Sequence, residues 1–338
     1  MNRAVTVSAS RGLPARSPLA KDADREGEQS MTTAGSLQPP ATPPRSRWRE
    51  RLRGWTLLAI LIGVLAIPIY GVYCLSEMIA LQPNIEKAGG SVQLEVVGPQ
   101  WLKDWAGRDY VWLVGTPVSL NAPQRQKVDD RWLKRVRRMT SLRSLGLQQT
   151  QITNRGMASL VPLAELESLG LSDTAIGDAG LEQIRELNRM TNLSLDGTQV
   201  SDDGLESLVE MKKMFMLDLA RTSLRGPGLK HLADMKNLCW LNLDSTALDD
   251  AGLAQLPALP SLQCLQLGGT KITNSSLRGL SRFPSLAVLS IRNTQVDDSG
   301  IEILLSIANF RRLMIQGSKI TPKGVRRIKT ALPKCEID

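Results

Sequence analysis

Few side chains in this sequence could do chemistry. It holds one histidine, His231, and four cysteines, Cys74, Cys239, Cys264 and Cys335. A Ser-His-Asp triad would have to run through His231, and a zinc site would need His231 or the cysteines. No two cysteines stand at a metal-binding spacing, and four dispersed cysteines do not form a disulfide framework. Within the eight repeats described below stand three pairs of neighbouring acids: Asp202-Asp203, Asp249-Asp250 and Asp297-Asp298. Paired carboxylates could hold calcium or exchange protons. Yet Asp202, Asp250 and Asp298 recur at one constant interval, which reads as architecture, with the acids as helix caps. The expectation is a chain with no catalytic residue, no metal site and no cofactor.

The elements behind that interval repeat with a fixed period of 24 from residue 139 onward. A hydroxyl marks each copy: Thr150, Thr174, Thr198, Thr222, Thr246, Thr270, Thr294 and Ser318. Leucine or isoleucine stands five and three positions before it, as in Leu145 and Leu147 or Leu313 and Ile315. An aliphatic residue follows two positions after, and an apolar residue seven after. The alternating pair puts both side chains on one face of a short strand. The hydroxyl is expected to bond the backbone of the neighbouring coil in a ladder. Asn154, Asp178, Asp202, Asp250, Asn274 and Asp298, four after the marker, read as N-caps of short helices. Gly226-Pro227 and Pro322 break that rule, so those two helices should start differently. No unit can bury its own leucines, so the units must stack. This explains a composition of 52 leucines with only 4% aromatic residues.

The run L-x-x-L-x-L-x-x-T-x-I followed by Asp-x-Gly-Leu resembles the leucine-rich repeat family, in its 24-residue bacterial form, over about 200 residues. It departs from the commonest version in carrying Thr or Ser where Asn often stands. The resemblance implies an α/β solenoid with a parallel concave sheet and convex helices. IEKAGGSV and GPQWLKDWAG, at 85–92 and 98–107, also resemble the segment before the repeats in membrane-anchored bacterial members.

Four domains are expected. Residues 1–54 form a disordered basic tail, with ten Lys/Arg against five Asp/Glu. Residues 55–75 are 21 uncharged residues, long enough for one transmembrane helix. A cleaved signal peptide is the competing reading, but no A-x-A site follows. Residues 76–138 form an N-terminal cap with a degenerate repeat. In it, Val118–Leu120 is the strand, with about three extra residues before Asp129-Asp130. Residues 139–338 are eight repeats, closed by a half-strand at Ile337. Arg45, Arg47, Arg49, Arg51 and Arg53 precede the apolar span. The positive-inside rule then puts the N-terminus in the cytoplasm and the repeats outside, in a periplasm or cell envelope.

Function is expected on the strand residues that face away from the core. The candidates are Met216, Asp218, Arg221, Trp240, Asn242, Asp244, Gln266, Arg292 and Arg312. Trp240 is the only tryptophan in the eight repeats and reads as an interface anchor, or else as an incidental surface ring packed on its neighbours. His231 is expected exposed on the convex side. Charge is polarised, net −8 over 165–250 and net +9 over 251–334. The expected role is a membrane-anchored, non-enzymatic interaction module whose concave face binds a protein or envelope polymer. A self-associating envelope scaffold is the alternative, and a ubiquitin-ligase-type adaptor ranks below both because no F-box-like segment precedes the repeats. Nucleic acid is not an expected partner.

Overall fold

The computed structural model describes residues 91–96, 115–122, 128–307 and 310–338. They form one sheet of 11 strands in chain order. The strands are β1 Ser91–Val96, β2 Gly115–Asn121, β3 Ser144–Gly146, β4 Ser168–Gly170, β5 Asn192–Ser194 and β6 Met216–Asp218. β7 Trp240–Asn242, β8 Cys264–Gln266, β9 Val288–Ser290, β10 Arg312–Met314 and β11 Glu336–Ile337 complete it. From β3 to β10 the strands keep the sequence period, and each pairs with the next in parallel without slippage. The fold is a leucine-rich-repeat solenoid.

Stacking puts Leu145, Leu169, Leu193, Leu217, Leu241, Leu265, Leu289 and Leu313 in one column, each no more than 2% exposed. Parallel columns follow from the other aliphatic positions. Each fully buried leucine contributes roughly 1.5–3 kcal/mol, so the solenoid is held chiefly by this continuous core. The returning segments are short stretches of α- or 3-10 helix, such as Asn154–Met157 and Pro227–Leu232.

Each of the eight repeats turns out of its strand on a left-handed residue just before the hydroxyl marker. Five are not glycine: Gln149, Asp173, Arg221, Ser245 and Asn293, with φ from 53° to 58°. Because this conformation costs an L-residue roughly 1–2 kcal/mol, the rest of the coil must enforce it.

Two hydrogen-bond expectations are corrected. The marker hydroxyls do not reach the next coil. Thr150 Oγ1 donates to the Leu147 carbonyl at 2.7 Å, and Thr222 Oγ1 to the Leu219 carbonyl at 2.6 Å, inside their own turns. The same bond recurs at Thr174, Thr198, Thr246, Thr270 and Thr294. The inter-coil ladder belongs instead to the acids and amides four residues later. Asp178 Oδ1 accepts from the Ser201 N–H at 2.8 Å and Oδ2 from its hydroxyl at 2.6 Å. Asp130, Asn154, Asp250, Asn274 and Asp298 likewise accept from a backbone N–H 23 residues ahead. Of the six expected caps only Asp202 stands at the N-cap, without a side-chain bond to its helix; elsewhere the N-cap is the residue before, and Asp129, Thr153, Asp249, Thr273, Asp297 and Thr321 accept from their own helices. In Asp249-Asp250, one carboxylate therefore caps its helix and the other holds the next coil.

The ladder lapses once. Asp202 accepts from the N–H groups of Arg225, Gly226 and Gly228, but Gly226 itself carries no side chain. Its φ is +121°, and a Cβ there would overlap the Gly252 backbone. With no carboxylate between them, the coils meet backbone to backbone, and only glycine fits on either side. Pro227 then starts the 3-10 helix at N1, while Pro322 is preceded by Thr321, which accepts from the Gly324 N–H.

At the N-terminal side, β1 runs antiparallel to β2, which pairs in parallel with β3. Leu120 pairs with Leu145, an offset of 25, whereas the helices starting at Asp130 and Asn154 are offset by 24. The degenerate repeat thus carries one extra residue, not three, because Leu120 occupies the first leucine position. Trp132 and Leu133 are buried beneath it. At the other side, Ile337 pairs with Leu313, as expected of a closing half-strand. Among the described residues no helix is long and apolar enough to cross a membrane. The 1–54 tail, the apolar segment 55–75, Trp101, Trp105 and Trp112 lie outside the described residues.

Candidate functional site

The inward residues of each strand are consumed by the core, so the alternate positions face outward in aligned rows. One row reads Ser144, Ser168, Asn192, Met216, Trp240, Cys264, Val288, Arg312, each directly paired to the next. The row beside it reads Gly146, Gly170, Ser194, Asp218, Asn242, Gln266, Ser290, Met314. Small and polar groups therefore lead into an aromatic, then into arginine.

A trough of about 440 Å³ lies along this face from β1 to β7. Its near part is lined by hydroxyls and amides, among them Ser119, Asn121, Ser144, Gln148 and Ser168. Its far part is lined by Asn192, Met216, Asp218 and Trp240. Met216 is 38% exposed, and its neighbour Phe215, just before the strand, is 49% exposed, which is unusual for side chains so apolar. Trp240 is half-buried.

Among the described residues Asp218 is the only charged one lining the trough. Burial pushes its carboxyl above the usual range; the Ala220 N–H pulls it down, and Asp196 raises it further. Among the described residues no cation pairs with it. Asp244 is raised by burial too, against the Gly268 N–H and Arg292, which lower it. Arg221 takes up the neighbouring charge: its guanidinium pairs with Asp196 at 2.6 Å and Asp173 at 3.0 Å. Its backbone is left-handed, with φ 53°.

The remaining candidates divide. Asn242 accepts from the Asp244 N–H at 3.0 Å, and it continues the polar row with Gln266, half-buried like it. Arg292 and Arg312 serve the last coil: both pair with Asp338, at 2.9 and 3.2 Å, and Arg312 also reaches Glu336. The structure thus brings Met216, Asp218 and Trp240 into one trough, and leaves Arg221, Arg292 and Arg312 in ion pairs outside it. Reading residue types missed Asn192 and the cap's Ser119 and Asn121. Asn192 was legible from spacing alone, since it stands one full repeat before Met216.

His231 is half-buried, not exposed as expected. It sits in a depression on the opposite, convex side beside Glu182, Glu186, Glu206 and Glu210. Among the described residues no group of three or more His, Cys, Asp or Glu is placed to hold a metal ion. Cys239, Cys264 and Cys335 are free thiols. Burial pushes the Cys264 thiol up, against hydrogen bonds from Gln266 and Trp240.

No family model and no curated protein matches this chain. Among solved structures it is similar to internalin C2 from Listeria monocytogenes, with 23% identity, 60% of this chain and 80% of that chain covered, and a TM-score of 0.47. A leucine-rich-repeat protein of Leptospira interrogans is 24% identical over 61% of this chain and 62% of that one, with a TM-score of 0.41. The receptor-kinase ectodomain GASSHO1/SCHENGEN3 from Arabidopsis thaliana is 20% identical over 58% of this chain, with a TM-score of 0.42. The chain spans only 24% of that ectodomain's length.

Proposed function

We propose that this chain is a non-enzymatic binding module whose concave sheet recognises a protein or envelope polymer. Residues 55–75 anchor it in a membrane, with the N-terminal tail cytoplasmic and the repeats in the periplasm or cell envelope. One observation carries the reading. Met216, Asp218 and Trp240 converge on an open trough, where an exposed apolar side chain stands beside a carboxylate that no cation among the described residues pairs with. Surfaces that combine an aromatic anchor with a partly desolvated polar group favour contact with a partner.

The test is cross-linking capture from intact membranes with the full chain. Trp240→Ala is expected to reduce the captured material severalfold while the fold survives. Capture unchanged by Trp240→Ala and Asp218→Ala would move the site off this face.

Charge polarity favours a second reading, a self-associating scaffold. The acidic span 165–250 of one copy would lie against the basic span 251–334 of another. Association that grows with concentration and dissolves in salt supports it, and a monomer at low salt excludes it.

A further inference from the structure

We propose that the trough binds a neutral, linear polysaccharide, with one sugar ring stacked on Trp240 and ring hydroxyls bonded to Asp218 and the amides and hydroxyls beside it. This rests on the binding reading above and commits it to the polymer.

The lining is chemically uniform before Met216. Ser119, Asn121, Ser144, Gln148, Ser168 and Asn192 offer groups that both donate and accept. That is the complement of a polyhydroxylated chain, whose hydroxyls also do both. Leu120, Leu145, Leu169 and Leu193 also border the trough, but each is at most 2% exposed, so their side chains belong to the core. The floor therefore offers no apolar pocket for the side chains of a peptide. Charge points the same way. Among the described residues Asp218 is the sole charged side chain lining the trough, and Arg221 offsets one of the two carboxylate charges of Asp173 and Asp196 nearby. An anionic polymer would be repelled by Asp218, and a strongly basic one would find a single carboxylate in the lining. A desolvated carboxylate is a strong acceptor for a sugar hydroxyl.

Two details mark the far part as a subsite. The Asn192 Oδ1 atom is shut away from solvent and has no hydrogen-bond partner among the described residues. A buried acceptor without a donor is costly, and a hydroxyl of a bound ring would satisfy it after a small side-chain shift. Asn192 pairs directly with Met216, and Met216 with Trp240. An indole with a thioether beside it suits the C–H face of a pyranose. Finally, the trough crosses six strand steps, about 29 Å at about 4.8 Å per step. A surface that repeats its polar rows at each coil suits a ligand that repeats its hydroxyls at each ring.

The experiment uses the full chain in a detergent without a sugar headgroup. It is presented to an array of neutral and charged linear glycans, and the best hits are titrated by calorimetry. Neutral glycans are expected to bind, with little dependence on salt. Trp240→Ala should weaken them by at least about tenfold, and Trp240→Phe should restore most of that loss. Asp218→Ala should weaken them several-fold without lowering the melting temperature. No binding to any neutral glycan overturns the inference, as does binding confined to charged polymers. Capture of a protein through the same residues overturns it too, but leaves the binding reading standing. Glycan binding indifferent to both trough variants sinks both.

Discussion

Asp250→Ala isolates the inter-coil ladder. Asp250 accepts from the Thr273 N–H at 2.8 Å, from the Thr273 hydroxyl at 2.6 Å, and from the hydroxyl of Ser276, which is buried. Alanine removes both acceptor oxygens and with them all three bonds. The Thr273 amide loses a charge-assisted bond, about 1.5 kcal/mol; the Ser276 hydroxyl is left without its acceptor, about 1 kcal/mol; the Thr273 hydroxyl can turn to water, about 0.5 kcal/mol. The expected loss is about 3 kcal/mol, or roughly 6–12 °C in melting temperature for a domain of this size. Asp250→Asn keeps an acceptor, and Asn154 and Asn274 fill the same position in other coils, so it should cost about 1 kcal/mol. Asp249→Ala removes only an N-cap bond to the Gly252 N–H, also about 1 kcal/mol. Urea and thermal melts of the three variants check the order. If Asp249→Ala proves more damaging than Asp250→Ala, the acids are ordinary caps and the ladder assignment is wrong. Acid gives a second readout. Burial raises the Asp250 carboxyl, but bonds from Ser276 and Thr273 outweigh it, so its folded pKa lies below 3.8. Its stabilisation is therefore complete above the unfolded value and lost as pH falls through the folded one. Asp250→Asn should flatten the acid limb of the stability curve.

Asp218 has the opposite sign. Its folded pKa is raised, so the ionised form costs stability above the unfolded value, and the cost vanishes as the carboxyl protonates. Asp218→Asn, an amide like Asn242 in the next coil, should gain less than about 1 kcal/mol at neutral pH and nothing near pH 3; a loss at neutral pH contradicts the assignment. Gly226→Ala should lower stability by more than about 2 kcal/mol, since its φ is +121° and the Gly252 backbone blocks a Cβ. Gly269→Asn should cost less than about 1 kcal/mol, because Asn293 adopts a similar conformation one coil later; equal costs in melts would refute both. Arg221→Gln should cost less than about 1 kcal/mol, more at low salt than at high, because its partners are half-open to water.

The constant period told which residues face the core, because stacking permits only one arrangement of Leu145, Leu169 and their successors. It also placed Trp240 and Met216 on the outer face. It did not tell which hydrogen bonds cross between coils. A threonine and an aspartate at fixed positions are both able to bridge, and only the turn geometry decides that Thr150 bonds Leu147 while Asp178 reaches Ser201. Arg292 and Arg312 looked free for a ligand because their partners, Glu336 and Asp338, lie 24 to 46 residues away. The trough itself was half legible. Its aromatic part stood out by type, whereas Asn192 and the cap's Ser119 and Asn121 are ordinary residues that matter only by register.

The central claim is that the concave trough, and not the convex side, receives the partner. A photo-reactive phenylalanine analogue placed at Trp240 and, separately, at Lys230 on the convex helix tests it in intact membranes, since such a group inserts into C–H bonds of peptides and sugars alike. An adduct from position 240 and none from position 230 is predicted. Adducts from position 230 with none from position 240 would contradict it.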